Sequence, residues 1–135
     1  MTRTVSRAAR LLAALAAAAL TGGVLAGCSA HPGQAYVGTY TGSDGKSHSV
    51  SVSEKDVQTA SAELSDLPGM DVSTVQENLL SLQLFEGTAK KYGVVVSDDD
   101  ARAALADSSG SGDYSRASID VARSVLISRA LKSLD

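Results

Sequence analysis

The segment from Val75 to Tyr92 constrains this chain more than any other. Its apolar residues Val75, Leu79, Leu82, Phe85, Ala89 and Tyr92 advance by 4, 3, 3, 4 and 3 positions, which sets them along one side of an α-helix. Leu80 and Leu84 widen that stripe, so a central helix with neighbours on more than one side is expected. Ser73 and Gln76 have the spacing of a reciprocal cap at its start. Gly93, preceded by Lys90 and Lys91 at the negative end of the helix dipole, suits a left-handed terminator. The remaining elements must cover this stripe.

Upstream, Tyr36, Val37 and Tyr40 precede a Gly42-Ser43-Asp44-Gly45 turn, and Val50 and Val52 alternate with serines. That pattern predicts two short antiparallel strands in a hairpin, too small to be stable alone and so an accessory to a helical core. Ser53 is the expected N-cap of a first helix, with Glu54 and Asp56 in its first turn and Val57, Ala60, Leu64 and Leu67 on its apolar face. Pro68-Gly69 is expected to end it.

After a short extended Val94-Val95-Val96, Ser97 and Asp98-Asp99-Asp100 repeat the capping pattern for a third helix ending near Leu105 or Ala106. The aspartates lack the alternating oxygen ligands, central Gly and closing Glu of a calcium loop, so they read as first-turn charges. Residues 107 to 113 read as a flexible loop. A last helix spans roughly Ser115 to Leu134, with Ile119, Ala122, Val125, Leu126, Ile127, Ala130, Leu131 and Leu134 on a wide apolar face. That face either closes the core or docks a partner. The fold class is therefore mainly α: a small domain of about four helices with a short N-terminal β-hairpin.

The N-terminal residues have a different logic. Arg3, Arg7 and Arg10 head an apolar stretch from Leu11 to Leu20, Thr21-Gly22-Gly23 follows, and no acidic residue occurs before Asp44. These are the parts of an export signal. The apolar run is short and interrupted by glycine against the roughly 20 apolar residues of a transmembrane helix. It leads to Leu25-Ala26-Gly27-Cys28, which resembles the lipobox of bacterial lipoproteins. The resemblance implies that Cys28, the single cysteine, receives a diacylglycerol through a thioether and becomes the mature N-terminus once residues 1–27 are removed. A lone cysteine can form no internal disulfide, and two acyl chains give the stable anchoring that one does not. The expected location is thus the extracytoplasmic face of a cell membrane. Residues 28–34 then serve as a tether of small and turn-forming residues, and 35–135 as the folded domain.

Cleavage would remove three of the 12 basic residues and none of the 15 acidic ones, so 9 basic residues face 15 acidic ones and the net charge becomes −6. Such a balance argues against nucleic acid and against a polybasic clamp on anionic lipid. With no Trp and a single Phe, a carbohydrate-stacking site is not expected either.

The order of elements, with Val50-Ser-Val-Ser-Glu-Lys-Asp-Val57 leading into helix one, the segment Val75 to Tyr92, Ala89-Lys-Lys-Tyr-Gly-Val-Val-Val-Ser-Asp98 at the next junction and Ala122-Arg123-x-x-Leu126-Ile127 late in the chain, resembles the N-terminal domain of the SurA-type extracytoplasmic chaperones. The resemblance covers most of residues 35 to 134. It implies an ATP-independent module that binds unfolded or extended polypeptides outside the cytoplasm, without the parvulin isomerase domain of the larger members. Leu82, Phe85, Tyr92, Leu126 and Leu131 are the candidates for a peptide-binding face or for the core. The alternative is a structural or adaptor lipoprotein whose C-terminal helix docks to a specific envelope partner. Neither reading fixes an oligomeric state.

No catalytic constellation is expected. His31 falls in the tether and His48 in the hairpin, and no Gly-x-Ser-x-Gly, His-Glu-x-x-His or phosphate-cradling Gly loop occurs. Asp44, Ser47, His48 and Ser49 could be drawn as a triad, but neighbours on alternating strand faces do not converge. With Cys28 acylated, two distant histidines do not make a zinc site, and no cofactor is expected.

Overall fold

A computed structural model describes residues 31–42, 44–110 and 112–134. Cys28 and the Leu25-Ala26-Gly27 that precedes it lie outside the described residues. Residues Gly33–Asp135 form one compact unit. It holds two strands, β1 (Gln34–Thr41) and β2 (Ser47–Ser53), and four helices, α1 (Glu54–Glu63), α2 (Val72–Lys91), α3 (Asp98–Ser109) and α4 (Arg116–Lys132). The mainly helical class with an N-terminal antiparallel hairpin is the one the residue pattern led to.

β1 and β2 pair from Thr41 opposite Ser47 to Tyr36 opposite Val52, and a register shift follows between Gln34 and Tyr36. Val50 and Val52, each 3 % exposed, turn the β2 face inward, as the alternation with serine required. Tyr36 folds its ring back over Gly38, filling the space where a side chain would stand. Ser53 ends β2 and caps α1, its hydroxyl accepting from the Asp56 amide at 3.0 Å. Strand and helix therefore join without a loop, and β1 already includes Gln34, one residue before the expected start of the folded domain.

α1 stops at Glu63, well before Pro68-Gly69. Leu64 leaves helical geometry, and two tight turns closed by Leu67 N–H to Leu64 O and Met70 N–H to Leu67 O carry the chain to Asp71. Gly69 supplies a positive φ within them. The cap of α2 is Asp71, whose carboxylate accepts from the Thr74 amide at 2.7 Å, and Ser73 is already inside the helix. Asp-x-x-Thr and Ser-x-x-Gln overlap in the sequence, and the charged group two positions earlier takes the helix start. At the other end Gly93 donates to Lys90 and Val94 to Ala89, the paired bonds of a Schellman terminus, with Gly93 at φ 74.

Ser97 and Asp100 complete a reciprocal cap on α3. The helix runs three residues beyond Ala106, so Asp107–Ser109 are helical and not part of a loop. Ser108 and Ser109 return their hydroxyls to the carbonyls of Ala104 and Leu105, and Gly110 ends the helix at φ 84. α4 begins at the Ser115 cap.

The core is centred on α4 more than on α2. α4 packs against α1, α2 and α3, and Ala117, Ser118, Ile119, Val121, Ala122, Ser124 and Ile127 are all buried. A helix buried over most of its circumference has little polar face left, which is why its stripe looked too wide for one neighbour. Its first turns join Val52, Val57, Ala60, Leu64, Val75, Leu79, Ala101 and Leu105 in the main cluster. A second cluster of Leu82, Ala89 and Ile127, covered by Val94, Val96 and Leu131, lies further along α2 and α4. Truncating Leu64 or Val75, which are 1 % and 0 % exposed, removes well-packed volume, and such losses cost about 2–5 kcal/mol for a leucine.

Two residues of the α2 stripe are not core. Phe85 is 53 % exposed and Tyr92 68 %. At about 100° per residue they lie about 80° and about 100° round the helix from Val75, at the margin of the stripe, whereas Leu79, Leu82 and Ala89 stay within about 40° of it.

Candidate functional site

Phe85 overhangs a groove between α2 and α4. Ser81, Leu82 and Phe85 line one wall, and Ser124, Ile127, Ser128, Leu131 and Lys132 the other. Leu82 and Ile127, 7 % and 4 % exposed, form the apolar floor, while the half-exposed Phe85 ring stands at the rim. The α4 residues follow from helical spacing: Ser124, Ile127, Ser128 and Leu131 advance by 3, 1 and 3, one face of one helix. The Ser81 and Ser128 hydroxyls and the Lys132 ammonium place polar groups beside an apolar trough, while Ser124 is buried in its wall. This chemistry can hold an apolar side chain while leaving partners for a main chain.

Of the five candidates, Leu82, Phe85 and Leu131 meet in this groove. Leu126 faces away from it and lines a second apolar hollow with Leu64, Leu67, Met70, Ala104 and Val125. Tyr92 joins neither and stands exposed at the end of α2. The serines at 81, 124 and 128 and Lys132 were not singled out in the sequence. The signal was available, because each serine lies three or four residues from an apolar member of the groove and Lys132 lies four from Ser128.

A charged network ties α2, α3 and α4 together. Arg123 is 12 % exposed at its side chain. Its Nε donates to the Val96 carbonyl at 3.2 Å and its Nη2 to Glu86, and Asp98 and Asp120 each lie 3.6 Å from the guanidinium. Arg116 bonds Asp98 at 2.5 Å and pairs with Asp120 at 3.0 Å. Burial pushes the Asp120 carboxyl above its ordinary range, outweighing the opposing attraction of Arg116 and Arg123. For Arg116 the order is reversed: burial is the largest single influence and lowers it, but Asp120 and Asp98 together raise it. On the far side, Glu63 receives the Ser115 amide, the Ser115 hydroxyl and the Ser118 hydroxyl at 3.0, 2.8 and 2.5 Å. The end of α1 is thereby tied to the start of α4.

The triple aspartate divides its tasks. Asp98 pairs with Arg116, Asp99 with Arg102, and Asp100 caps the helix, its carboxyl held below the ordinary range by the Ser97 hydroxyl and amide. Among the described residues no group of three or more His, Cys, Asp and Glu side chains is arranged to hold a metal ion.

At the hairpin tip, His48 Nε2 lies 3.1 Å from each oxygen of Asp44, and its ring stacks on Tyr40 with centroids 5.3 Å apart. The pair does converge, contrary to the alternation argument, because Asp44 sits in the turn and not on a strand. The same carboxylate accepts the Lys46 amide, which with His48 holds its pKa below the ordinary value. Ser47 and Ser49 flank His48 on the opposite strand face.

Comparison with protein-family models, curated proteins and solved structures finds no match to this chain.

Proposed function

We propose that this protein is a lipoprotein, anchored through diacylated Cys28 at the extracytoplasmic face of the cell membrane, whose SurA-like helical domain binds unfolded or extended polypeptides without ATP and without catalysis. The observation that carries the reading is the α2–α4 groove. It combines a buried Leu82 and Ile127 floor, a Phe85 ring 53 % exposed at its rim, and the Ser81 and Ser128 hydroxyls on its walls. The lipobox-like Leu25-Ala26-Gly27-Cys28 is what supports the anchor; among the described residues, which begin at His31, no helix is long and apolar enough to cross a membrane.

The test uses the Gly33–Asp135 unit with a chemically denatured client. Suppressed client aggregation, together with amide shift changes at Ser81, Phe85, Ser128 and Leu131 on adding an unfolded peptide, is the expected outcome. Phe85→Ser should weaken both effects at little cost in folding stability, because the ring is half exposed. Absence of suppression and of shifts would refute the reading. For the anchor, Cys28→Ser should abolish labelling by a lipid probe in cells, and a variant that is still labelled would refute it.

A second reading has its own observation. Leu134, 58 % exposed, extends the apolar side of α4 beyond Leu131. An adaptor that docks this end to one envelope protein would give a single stoichiometric crosslink from Leu131 or Leu134, whereas a polypeptide-binding module gives a spread of exported chains.

A further inference from the structure

The fold closes one edge of its hairpin and leaves the other open. On the β2 edge, the Gln83 side chain from α2 takes both free groups of Ser51, accepting from its amide at 3.3 Å and donating to its carbonyl at 2.7 Å. Ser51 stands opposite Val37, so these two do not exchange main-chain hydrogen bonds, and the amide and carbonyl of Val37 point to the outer edge of β1. By the period of two, those of Thr39 do the same. The Gly42 amide donating to the Lys46 carbonyl fixes the same phase at the turn. Among the described residues nothing pairs with this outer edge.

Strands left open in this way are ordinarily guarded by charge, proline or brevity. β1 has eight residues, Gln-Ala-Tyr-Val-Gly-Thr-Tyr-Thr, with neither charge nor proline. Its sequence is also its own complement about Gly38. An antiparallel copy centred there sets Val37 against Thr39 and Tyr36 against Tyr40, joining β-branched to β-branched and aromatic to aromatic, with Gly38 meeting Gly38 on the axis. A two-fold contact requires this kind of self-complementarity, and a strand of arbitrary sequence supplies it only by accident. Along the sequence the nearest charges, Asp44 and Lys46 at one end and Glu54 and Lys55 beyond the other, fall outside the paired span, so none is set directly opposite another in this register.

We propose that β1 pairs with β1 of a second copy, antiparallel about Gly38, to give a four-stranded sheet. Val37 and Thr39 of one copy exchange main-chain hydrogen bonds with Thr39 and Val37 of the other. The contact is independent of the α2–α4 groove and stands whether or not that groove binds polypeptide.

The experiment uses the Gly33–Asp135 unit, which contains all of its own described core. Light scattering should show the mass rising towards two copies as concentration goes from about 10 μM to about 1 mM. Over the same range, amide exchange at Val37 and Thr39 should slow by about tenfold, with Ser51 unchanged. Val37→Pro deletes only an outward amide and Thr39→Lys puts a charge in the contact, so each should hold the mass at one copy. If Val37→Pro unfolds, Thr39→Lys and the exchange data decide. A mass that stays at one copy throughout, or a dimer indifferent to a folded Thr39→Lys, overturns the proposal. So does protection of Val37 and Thr39 that appears only on adding a denatured client, which would assign the edge to other chains.

Discussion

Removing the Arg123 guanidinium should be among the more damaging single changes outside the apolar core. Arg123→Ala takes away the hydrogen bond to the Val96 carbonyl and the contact with Glu86, and leaves Glu86, Asp98 and Asp120 facing one another with less positive charge among them. Deleting one partner of a fully buried pair costs about 3–5 kcal/mol, most of it from the abandoned charge. Here the side chains left behind are 29, 35 and 23 % exposed, so water recovers part of that cost, Lys90 continues to pair with Glu86, and Arg116 continues to serve Asp98 and Asp120. The expected loss is about 2–3 kcal/mol, which in a domain of this size lowers Tm by about 10–20 °C. Arg123→Lys keeps the charge but not the planar fork, and should recover roughly half of it. Urea unfolding of both variants, with Glu86→Gln as the second arm of a double-mutant cycle, measures these quantities. A loss below about 1 kcal/mol for Arg123→Ala would place the network with ordinary surface pairs and refute the account.

Two further outcomes are expected. Glu63 is subject to burial, which raises its pKa, but the Ser118 hydroxyl and the Ser115 amide and hydroxyl outweigh that and hold it below the ordinary glutamate value. A carboxyl with a depressed folded pKa stabilises above its unfolded value and loses that contribution as pH falls through the folded one. Glu63→Gln should therefore cost about 1 kcal/mol at neutral pH, discounted for the exposure of the side chain, and should flatten the decline in stability below about pH 4.5; parallel acid titrations of the two proteins would contradict this. Gly87, inside α2, has nothing within 4 Å of where a Cβ would stand. Gly87→Ala should stabilise by about 0.5–1 kcal/mol, and a lower melting temperature would show that the position is held for another reason.

Local chemistry was the legible part of this sequence. The hairpin and the caps at Ser53 and Ser97 follow from side chains that act on their own neighbours. Competition between neighbouring signals was less legible. Asp71 displaced Ser73 as a cap, and α1 gave way to turns at Leu64 although Leu67 continues its apolar spacing. Phe85 and Tyr92 share the spacing of the α2 stripe, yet a few tens of degrees decide burial, and that depends on where α4 lies. The groove needed the same information, because its two walls come from segments some forty residues apart. Glu63, Gln83 and Arg123 could not be read at all from local pattern, since each is an ordinary surface residue type whose side-chain hydrogen-bond partners stand 27 or more positions away.

Gln83 also limits how this chain can vary. Its primary amide offers one acceptor and one donor at the spacing of a peptide group, so a single side chain stands in for a third strand beside Ser51. Glutamate would lose the donor, lysine the acceptor, and asparagine the reach. A surface position in mid-helix, where substitution is normally free, thus carries a preference for glutamine set by the hairpin it serves.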